Sequence, residues 1–226
     1  MSRGSAPIVT VDGPSGSGKG TLSSALGNVL GWTVLDSGSL YRAIALETWR
    51  KKIEFQEAEE LEISELINSL SIELKSEKVF LNGEDISEDI RTEEIGAKAS
   101  KIASNPKLRS GILDFQRSFI SSPGLVADGR DMGTVVFPEA RLKIFLTASA
   151  SVRGERRFIQ LKNKGLSVSL PDLVRQIRER DFQDENRQIA PLKAAPEAVI
   201  LDSSEHTIEE VLDLAMLEVK KRGLAA

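Results

Sequence analysis

The chain has 226 residues, of which 40% are hydrophobic and 28% are charged, and this composition predicts one globular domain with room for a smaller inserted lobe. Its formal net charge of −4 argues against a broad basic surface for polymeric nucleic acid. The absence of cysteine excludes disulfides and thiolate metal sites, and the single histidine excludes polyhistidine metal sites.

The first predicted strand, Ile8 to Val11, leads into a glycine-rich turn and then into a helical pattern. The turn consists of Gly13, Pro14, Ser15, Gly16, Ser17, Gly18, Lys19, Gly20 and Thr21. Strand, turn and helix form the context of a phosphate-binding loop, in which backbone N–H groups, the helix dipole and Lys19 attract an anion. Thr21 could ligate magnesium, although Gly20 stands where the general motif has Ser or Thr. The alternative is a glycine turn that binds nothing.

A second short strand, Trp32 to Leu35, ends at Asp36 and is followed by a turn and a helix. Strands that alternate with helices predict a parallel α/β sheet, whose ligands collect at the carboxyl ends of the strands. Arg42, about one helical turn further on, is then within reach of the same cleft. A solvated helix charge is the alternative for Arg42.

The middle of the chain has a different character. A solvated amphipathic helix is predicted within 53–65, and short strands at 71–74 and 78–81 precede the hairpin turn Asn82-Gly83. We therefore predict an inserted antiparallel lobe. Helices are predicted at 92–103 and 106–120, with Pro106 forcing the break between them. Ser100 and Arg109 flank this break, and each taken alone is typical of an ordinary surface residue.

A buried strand at 125–127 ends in charged residues. Asp128, Arg130 and Asp131 follow it within four positions, beside Gly129. Such charges are costly near a core unless they have a ligand or a partner. An internal Arg–Asp pair that stabilises a turn is the alternative.

Arginines dominate the next part of the chain, after a further buried strand at 141–147. Arg153, Arg156 and Arg157 fall on one helix face and should repel each other unless an anion lies between them. Arg180 and Arg187 follow among acidic residues that include Asp184, and a solvated charge network explains these equally well. A last strand at 198–202 and a helix capped by Thr207 complete the chain, and His206 has no predicted chemical role.

This inventory favours phosphoryl transfer, which depends on positioning and charge stabilisation more than on a reactive side chain. Transfer to an alcohol usually needs a base near the hydroxyl, whereas a phosphate acceptor is already anionic and needs cations. The excess of arginines over candidate bases therefore favours a phosphate acceptor. Asp128 could still act as a base toward an alcohol.

The chain resembles the bacterial cytidylate kinases, which are P-loop nucleoside monophosphate kinases, from about Ile8 to the last helix. The most specific stretches are 12–21, 35–42, 127–138 and 180–187, and the sequence Gly18-Lys19-Gly20-Thr21 is the form that this family uses. The resemblance implies an α/β fold with a three-layer P-loop core and a parallel five-stranded sheet. It also implies one domain over 1–226, with a core at 1–36 and 106–226, a monophosphate-binding lobe with an antiparallel insert at about 37–105, and a helical lid at about 150–167.

The resemblance further implies ATP-dependent phosphorylation of CMP and dCMP with Mg²⁺. ATP would lie on residues 13–21, with Arg156 and Arg157 closing over it and Thr21 and, through water, Asp128 at the metal. Cytosine or its approach would be surrounded by Ser37, Ser100, Arg109 and Asp131. The acceptor phosphate would be held by Arg42, Arg130 and Arg187, and the sugar side by Arg180 and Asp184. The catalytic set would be Lys19, Asp128, Arg130, Arg153, Arg157 and Arg187.

Two other functions compete with this one. A P-loop kinase for another monophosphate or a small alcohol is the first. The second is a nucleotide-dependent switch, but a GTP switch would carry Asn-Lys-x-Asp, and Asn163-Lys164-Gly165-Leu166 lacks the aspartate. No apolar run is long enough for a membrane span, and residues 1–7 lack a signal-peptide core. We expect a cytoplasmic monomer whose partners are small nucleotides, with neither membrane nor polymeric nucleic acid among them.

Overall fold

A computed structural model describes residues 6–53, 65–67, 69–75 and 78–225. The chain divides into a first unit, Met1–Thr33 with Ile120–Ala226, and a second unit, Val34–Phe119. Most of the helix predicted within 53–65 lies outside the described residues. The predicted lobe at 37–105 and lid at 150–167 stay predictions.

Strands and helices alternate along most of the chain. In order they are β1 (Ile8–Asp12), α1 (Lys19–Leu30), β2 (Thr33–Asp36), α2 (Ser37–Lys51), β3 (Ile72–Lys75), β4 (Lys78–Leu81), β5 (Glu84–Asp85), α3 (Glu93–Ser104), α4 (Pro106–Arg117), β6 (Leu125–Gly129), β7 (Leu142–Thr147), α5 (Ala150–Asn163), α6 (Leu170–Asn186), β8 (Val199–Asp202) and α7 (Ile208–Lys221). The described residues also include a 3₁₀ turn at Asp89–Arg91 and a π-helical turn at Met132–Val136.

The main sheet has five strands in the order β2-β6-β1-β7-β8. β1 pairs in parallel with both β6 and β7, and β7 pairs in parallel with β8, which confirms the predicted parallel α/β sheet. Every residue of β1 is buried, because this apolar strand has neighbours on both sides. Asp12 is in register with Gly129 of β6, so the charged residues that follow both strands emerge at one edge of the sheet.

The second unit contains the smaller sheet, in which β4 pairs antiparallel with β3 and β5. The predicted hairpin turn is present, with Asn82 and Gly83 both at positive φ, as a tight hairpin requires. The break between α3 and α4 is also confirmed. Asn105 caps α4 by accepting hydrogen bonds from the backbone N–H groups of Lys107 and Leu108, and Pro106 takes the first helical position.

The carboxyl end of α4 differs from the prediction, whereas the amino end of α7 agrees with it. α4 stops at Arg117, short of the predicted Ile120, where the Ser118 N–H bonds back to the Asp114 carbonyl. α7 begins as predicted, with Thr207 and Glu210 forming a reciprocal capping box. Across the described ranges, no helix has the length and apolar character needed to cross a bilayer.

Candidate active site

The glycine-rich turn joins β1 to α1 in the first unit. Gly13 passes so close to β7 that a Cβ there would lie 2.0 Å from the Leu146 carbonyl oxygen, so only glycine fits. Gly18, at φ 96°, forms the N-cap of α1 without a side-chain hydrogen bond. The amino end of α1, with its unsatisfied N–H groups and positive dipole end, therefore opens directly onto the turn.

Lys19 is the first residue of α1 and is 6% exposed. Its ammonium group donates to the Pro14 carbonyl at 2.9 Å, so the side chain lies back across the turn. Thr21, two residues on, is exposed. The cation and the hydroxyl that the sequence predicts at a phosphate site are thus both at the amino end of one helix.

Gly20, the departure from the general motif, lies beside Asp128 at the end of β6. A Cβ on Gly20 would be 3.4 Å from Asp128 Oδ2, which is an ordinary contact distance. Asp128 is itself only 8% exposed. The Asp128 carboxylate therefore lies beside the first turn of α1.

Asp12, the last residue of β1, holds the segment that follows β6. Its two carboxylate oxygens accept hydrogen bonds from the backbone N–H groups of Met132 at 2.8 Å and Gly133 at 2.7 Å. Burial raises the pKa of Asp12 from 3.8 to about 6, against the two backbone hydrogen bonds, which lower it. Asp131 adds to the rise and Lys19 opposes it. The sequence prediction did not assign Asp12 a role.

Asp131 is 3% exposed and lies between Asp12 and an arginine. Arg187 Nη2 is 4.0 Å from Asp131 Oδ1, and Arg187 Nε also donates to the Ala190 carbonyl. Arg130 Nε donates to Asp184 Oδ2 at 3.0 Å, with both side chains largely buried. Internal Arg–Asp pairs, the alternative interpretation of this segment, are therefore present.

Arg153 is the most enclosed arginine of α5, with 5% of its side chain exposed. It makes a bidentate ion pair with Asp181 of α6, in which Nη1 is 2.9 Å from Oδ1 and Nη2 is 2.5 Å from Oδ2. Its Nη1 also donates to the Ser15 carbonyl in the phosphate loop at 3.0 Å. Part of the repulsion expected among the α5 arginines is thus offset by a carboxylate of the protein itself.

The other two arginines of α5 have different neighbours. Arg156 donates to the Ser203 carbonyl at 2.6 Å and to the Ser203 hydroxyl at 3.1 Å. Arg157 donates to the Gln160 side chain at 2.7 Å. On α6, Arg180 is half-buried.

Two of the predicted substrate residues of the second unit lie on α2. Ser37 is buried, and its hydroxyl oxygen accepts a hydrogen bond from Gln116 Nε2 at 2.8 Å. Arg42 donates to the carbonyls of Ile90 at 2.7 Å and Thr92 at 3.3 Å. Arg42 is therefore a half-buried, hydrogen-bonded group, and a fully solvated helix charge does not describe it.

Ser100 and Arg109, the other two, flank the break between α3 and α4. Ser100 is half-buried and donates to the Gly96 carbonyl at 3.1 Å. Arg109 is only 9% exposed, donates to the Ala103 carbonyl at 3.1 Å and lies over the Tyr41 ring, 5.9 Å from its centroid. The interpretation of Arg109 as an ordinary surface residue is therefore wrong.

The predicted site residues fall into two sets. The first unit brings the phosphate loop together with Asp128, Asp131 and the partnered arginines 130, 153, 156 and 187. Ser37, Arg42, Ser100 and Arg109 belong to the second unit. Sequence reasoning missed Asp12, Gln116, Asp181 and Ser203. Of these, Asp12 and Ser203 carry a usable signal, since both are polar residues at the carboxyl end of a strand.

Known proteins that are similar to this chain include members of one kinase family. The family model described as cytidylate kinase matches residues 9–221. A cytidylate kinase of Marinomonas sp. (strain MWYL1) is 49% identical over 223 residues, covering 96% of this chain and 97% of the relative. A cytidylate kinase of Aeromonas salmonicida (strain A449) is 51% identical over 211 residues, covering 92% of this chain and 91% of the relative. A solved shikimate kinase from Bacteroides thetaiotaomicron is 12% identical over 95% of this chain and 98% of its own, with a TM-score of 0.45. The chain belongs to the cytidylate kinase family.

Proposed function

We propose that this protein transfers the γ-phosphoryl group of ATP to CMP and dCMP, giving CDP and dCDP. The observation that carries the proposal is the meeting, in one unit, of the loop bearing Lys19 with the carboxylate of Asp128 and with the buried Arg153. Lys19 and the arginines supply cations for phosphate oxygens, while Asp12, Asp181 and Asp184 are held by backbone N–H groups or by arginines. Such a site therefore suits an acceptor that is already an anion.

ATP would place its phosphates on residues 13–21, where backbone N–H groups, the α1 dipole and Lys19 converge. Magnesium, bound with ATP, neutralises phosphate charge. Thr21 and Asp128 fit such an ion, because the Asp128 carboxylate lies beside the first turn of α1, which carries Thr21. In the described ranges no three acidic, histidine or cysteine side chains are arranged so that they could hold a metal ion by themselves, so phosphate oxygens and water would supply the other ligands.

The acceptor phosphate would be held by Arg42, Arg130 and Arg187. Guanidinium groups suit this role, because their forked donors match phosphate oxygens and their charge persists at every working pH. Arg153 and Arg157 would stabilise the charge of the transferring group, and Arg156 would contribute to ATP binding. The lid at about 150–167, which carries these three arginines, and the monophosphate-binding lobe at about 37–105 belong to the same proposal.

Base selection would depend on hydrogen-bond direction. Asp131 would accept from the 4-amino group of cytosine, whereas uracil presents a carbonyl oxygen there and would leave a buried repulsive contact. Arg109 would donate to the ring acceptors N3 and O2, and Ser100 would do so after its hydroxyl hydrogen turns away from the Gly96 carbonyl. The Ser37 oxygen already accepts from Gln116, so its hydroxyl hydrogen is available for a substrate acceptor. Arg180 and Asp184 would contact the sugar.

Label transfer separates this function from a nucleotide switch. The protein is incubated with γ-labelled ATP and magnesium, with and without CMP, and the products are separated by chromatography. We expect the label in CDP and little of it in free phosphate. Label that appears only as free phosphate, at a rate independent of CMP, would contradict the proposal.

A further inference from the structure

Ser203 follows β8 and contacts the phosphate loop, although it is far from the loop in sequence. Its hydroxyl oxygen is 2.9 Å from the Ser17 carbonyl oxygen and 3.2 Å from the Thr147 carbonyl oxygen. The residue is 4% exposed, and Ser17 is fully buried. A polar contact enclosed in this way is made without competition from water, and its loss would leave buried groups unsatisfied.

The Ser203 hydroxyl lies near two carbonyl oxygens but can donate to only one of them at a time. A serine hydroxyl has one hydrogen. The Thr147 carbonyl already accepts from the Ser203 backbone N–H at 2.8 Å, and the Ser203 oxygen accepts from Arg156 Nη1 at 3.1 Å. The hydroxyl hydrogen is therefore assigned to the shorter contact, the Ser17 carbonyl.

Anchoring the Ser17 carbonyl orients the peptide unit between Ser17 and Gly18. In a trans peptide the C=O of one residue and the N–H of the next point in opposite directions. With the Ser17 carbonyl directed at Ser203, the Gly18 N–H is directed away from Ser203. A phosphate loop binds through such N–H groups, so a rotated peptide at this position would lose a donor to the nucleotide.

Arg156 completes the arrangement. Its Nη2 donates to the Ser203 carbonyl at 2.6 Å, and its Nη1 is 3.5 Å from the Ser17 carbonyl. α5 thereby holds Ser203 in place while Ser203 holds the loop. α5 therefore contacts the phosphate loop directly, through Arg153 and Arg156, and also indirectly, through Ser203.

We infer that Ser203 is a positioning residue for ATP, which sets the orientation of the Ser17–Gly18 peptide in the phosphate loop. The inference rests on the proposed function in one respect, namely that this loop binds the phosphates of ATP. It requires no contact between Ser203 and either substrate. It therefore predicts a defect in ATP binding and none in binding of the acceptor.

The test compares Ser203→Ala with Ser204→Ala in the full chain. Ser204 is the adjacent serine, and its hydroxyl accepts from the Ser149 N–H at 2.9 Å. Affinity for magnesium–ATP is measured by titration calorimetry, and KM for ATP and for CMP by ADP release. For Ser203→Ala we expect ATP affinity to fall about tenfold and KM for ATP to rise to match, with KM for CMP within about twofold of the unmutated protein. Ser204→Ala should leave all three unchanged.

Ser203→Cys is the second variant, because it keeps the side-chain shape and replaces the hydroxyl by a weaker donor. It should show an intermediate loss of ATP affinity, and it carries the test if Ser203→Ala does not fold. Folded Ser203 variants that bind ATP as tightly as the unmutated protein would overturn the inference. So would equal losses for ATP and CMP. Failure of the unmutated protein to phosphorylate CMP would refute the proposed function, while the comparison of ATP affinities would still decide the role of Ser203.

Discussion

Three carboxylates are buried near the phosphate loop, on Asp12, Asp128 and Asp131, at 5%, 8% and 3% exposure. A buried carboxylate is costly unless hydrogen bonds or opposite charge compensate it. Asp12 has two backbone N–H donors, and Asp131 has Arg187 at 4.0 Å. At the scale of single residues, these different partners indicate different roles. Asp12 holds the backbone after β6, whereas Asp131 faces Arg187 and carries the proposed role in base recognition.

Replacing Asp131 by alanine should damage the use of CMP more than the binding of ATP. The change removes the acceptor proposed for the 4-amino group of cytosine, while the phosphate loop keeps its own contacts. We expect kcat/KM for CMP to fall by about 100-fold or more, with the dissociation constant for ATP within about threefold. Steady-state kinetics and calorimetry measure the two. Asp213→Ala, an exposed aspartate on α7, is the control, and an unchanged kcat/KM for CMP in Asp131→Ala would remove Asp131 from base recognition.

Lys19→Ala should lower kcat on the order of 10³-fold, because a cation beside the transferring phosphoryl group is lost. The matched control is Lys220→Ala, the same change at an exposed position on α7. Circular dichroism and thermal unfolding establish that both variants are folded. Near-normal turnover of folded Lys19→Ala would contradict the role assigned to this loop.

The raised pKa of Asp12 predicts a dependence of stability on pH. Because the folded pKa is about 6 and the unfolded value is 3.8, the folded state binds more protons between these values. The contribution of Asp12 to the free energy of unfolding therefore rises as pH falls from about 6 to about 4, by roughly 3 kcal/mol in total. Below that range it is constant.

Urea unfolding of the unmutated protein and of Asp12→Asn at pH 7, 5.5 and about 4 measures this contribution. Asp12→Asn should be less stable at every pH, since its amide offers one acceptor for two N–H groups. The difference in unfolding free energy between the two proteins should widen as the pH falls. A constant difference would show that the Asp12 carboxylate does not titrate in this range.

At the scale of elements, the buried ion pair between Arg153 and Asp181 joins α5 to α6. Asp181→Ala would leave the Arg153 guanidinium buried with only carbonyl partners, and we expect the free energy of unfolding to fall by about 3 kcal/mol. The control is Asp172→Ala, which breaks the exposed pair between Asp172 and Arg175 on α6 itself. That change should cost far less stability, because water screens an exposed ion pair. Chemical denaturation measures both.

A double variant distinguishes the cost of an unpaired buried charge from the cost of losing the Arg153–Asp181 ion pair. Combining Arg153→Met with Asp181→Leu removes both charges and should recover most of the stability lost in Asp181→Ala, because no unpaired charge remains. Its activity should stay low, since Arg153 also contacts the Ser15 carbonyl of the phosphate loop. Equal destabilisation by Asp181→Ala and Asp172→Ala would contradict the importance of burial here.

At the scale of the whole molecule, local signals predicted most of the fold. Apolar runs located β1, β6 and β7, the Asn105-Pro106 step separated α3 from α4, and Asn82-Gly83 marked the small antiparallel sheet. These features depend on neighbours in sequence, so they can be recognised without the tertiary structure. The phosphate loop can also be recognised from neighbouring residues, since its strand, turn and helix are contiguous in sequence.

The contacts between distant segments were not predictable in this way. Asp181 meets Arg153 across 28 residues, and Ser203 meets Ser17 across 186. Helix spacing places Arg153 on a face but cannot say which carboxylate will lie opposite. Ser203 follows β8 at the same sheet edge as the phosphate loop, so the rule that ligands collect at the carboxyl ends of strands could have identified it. Monomeric state and cytoplasmic residence stay predictions.

The acceptor preference of the purified protein directly tests whether it is a kinase for CMP and dCMP. ADP release from magnesium–ATP is measured with CMP, dCMP, UMP, AMP and GMP under one condition, and kcat/KM is compared. Phosphoryl transfer with cytosine read by Asp131 predicts that CMP and dCMP exceed the other three by at least about 100-fold, since mispaired buried polar groups discriminate strongly. Equal rates with all five acceptors, or none above the rate with water alone, would contradict it.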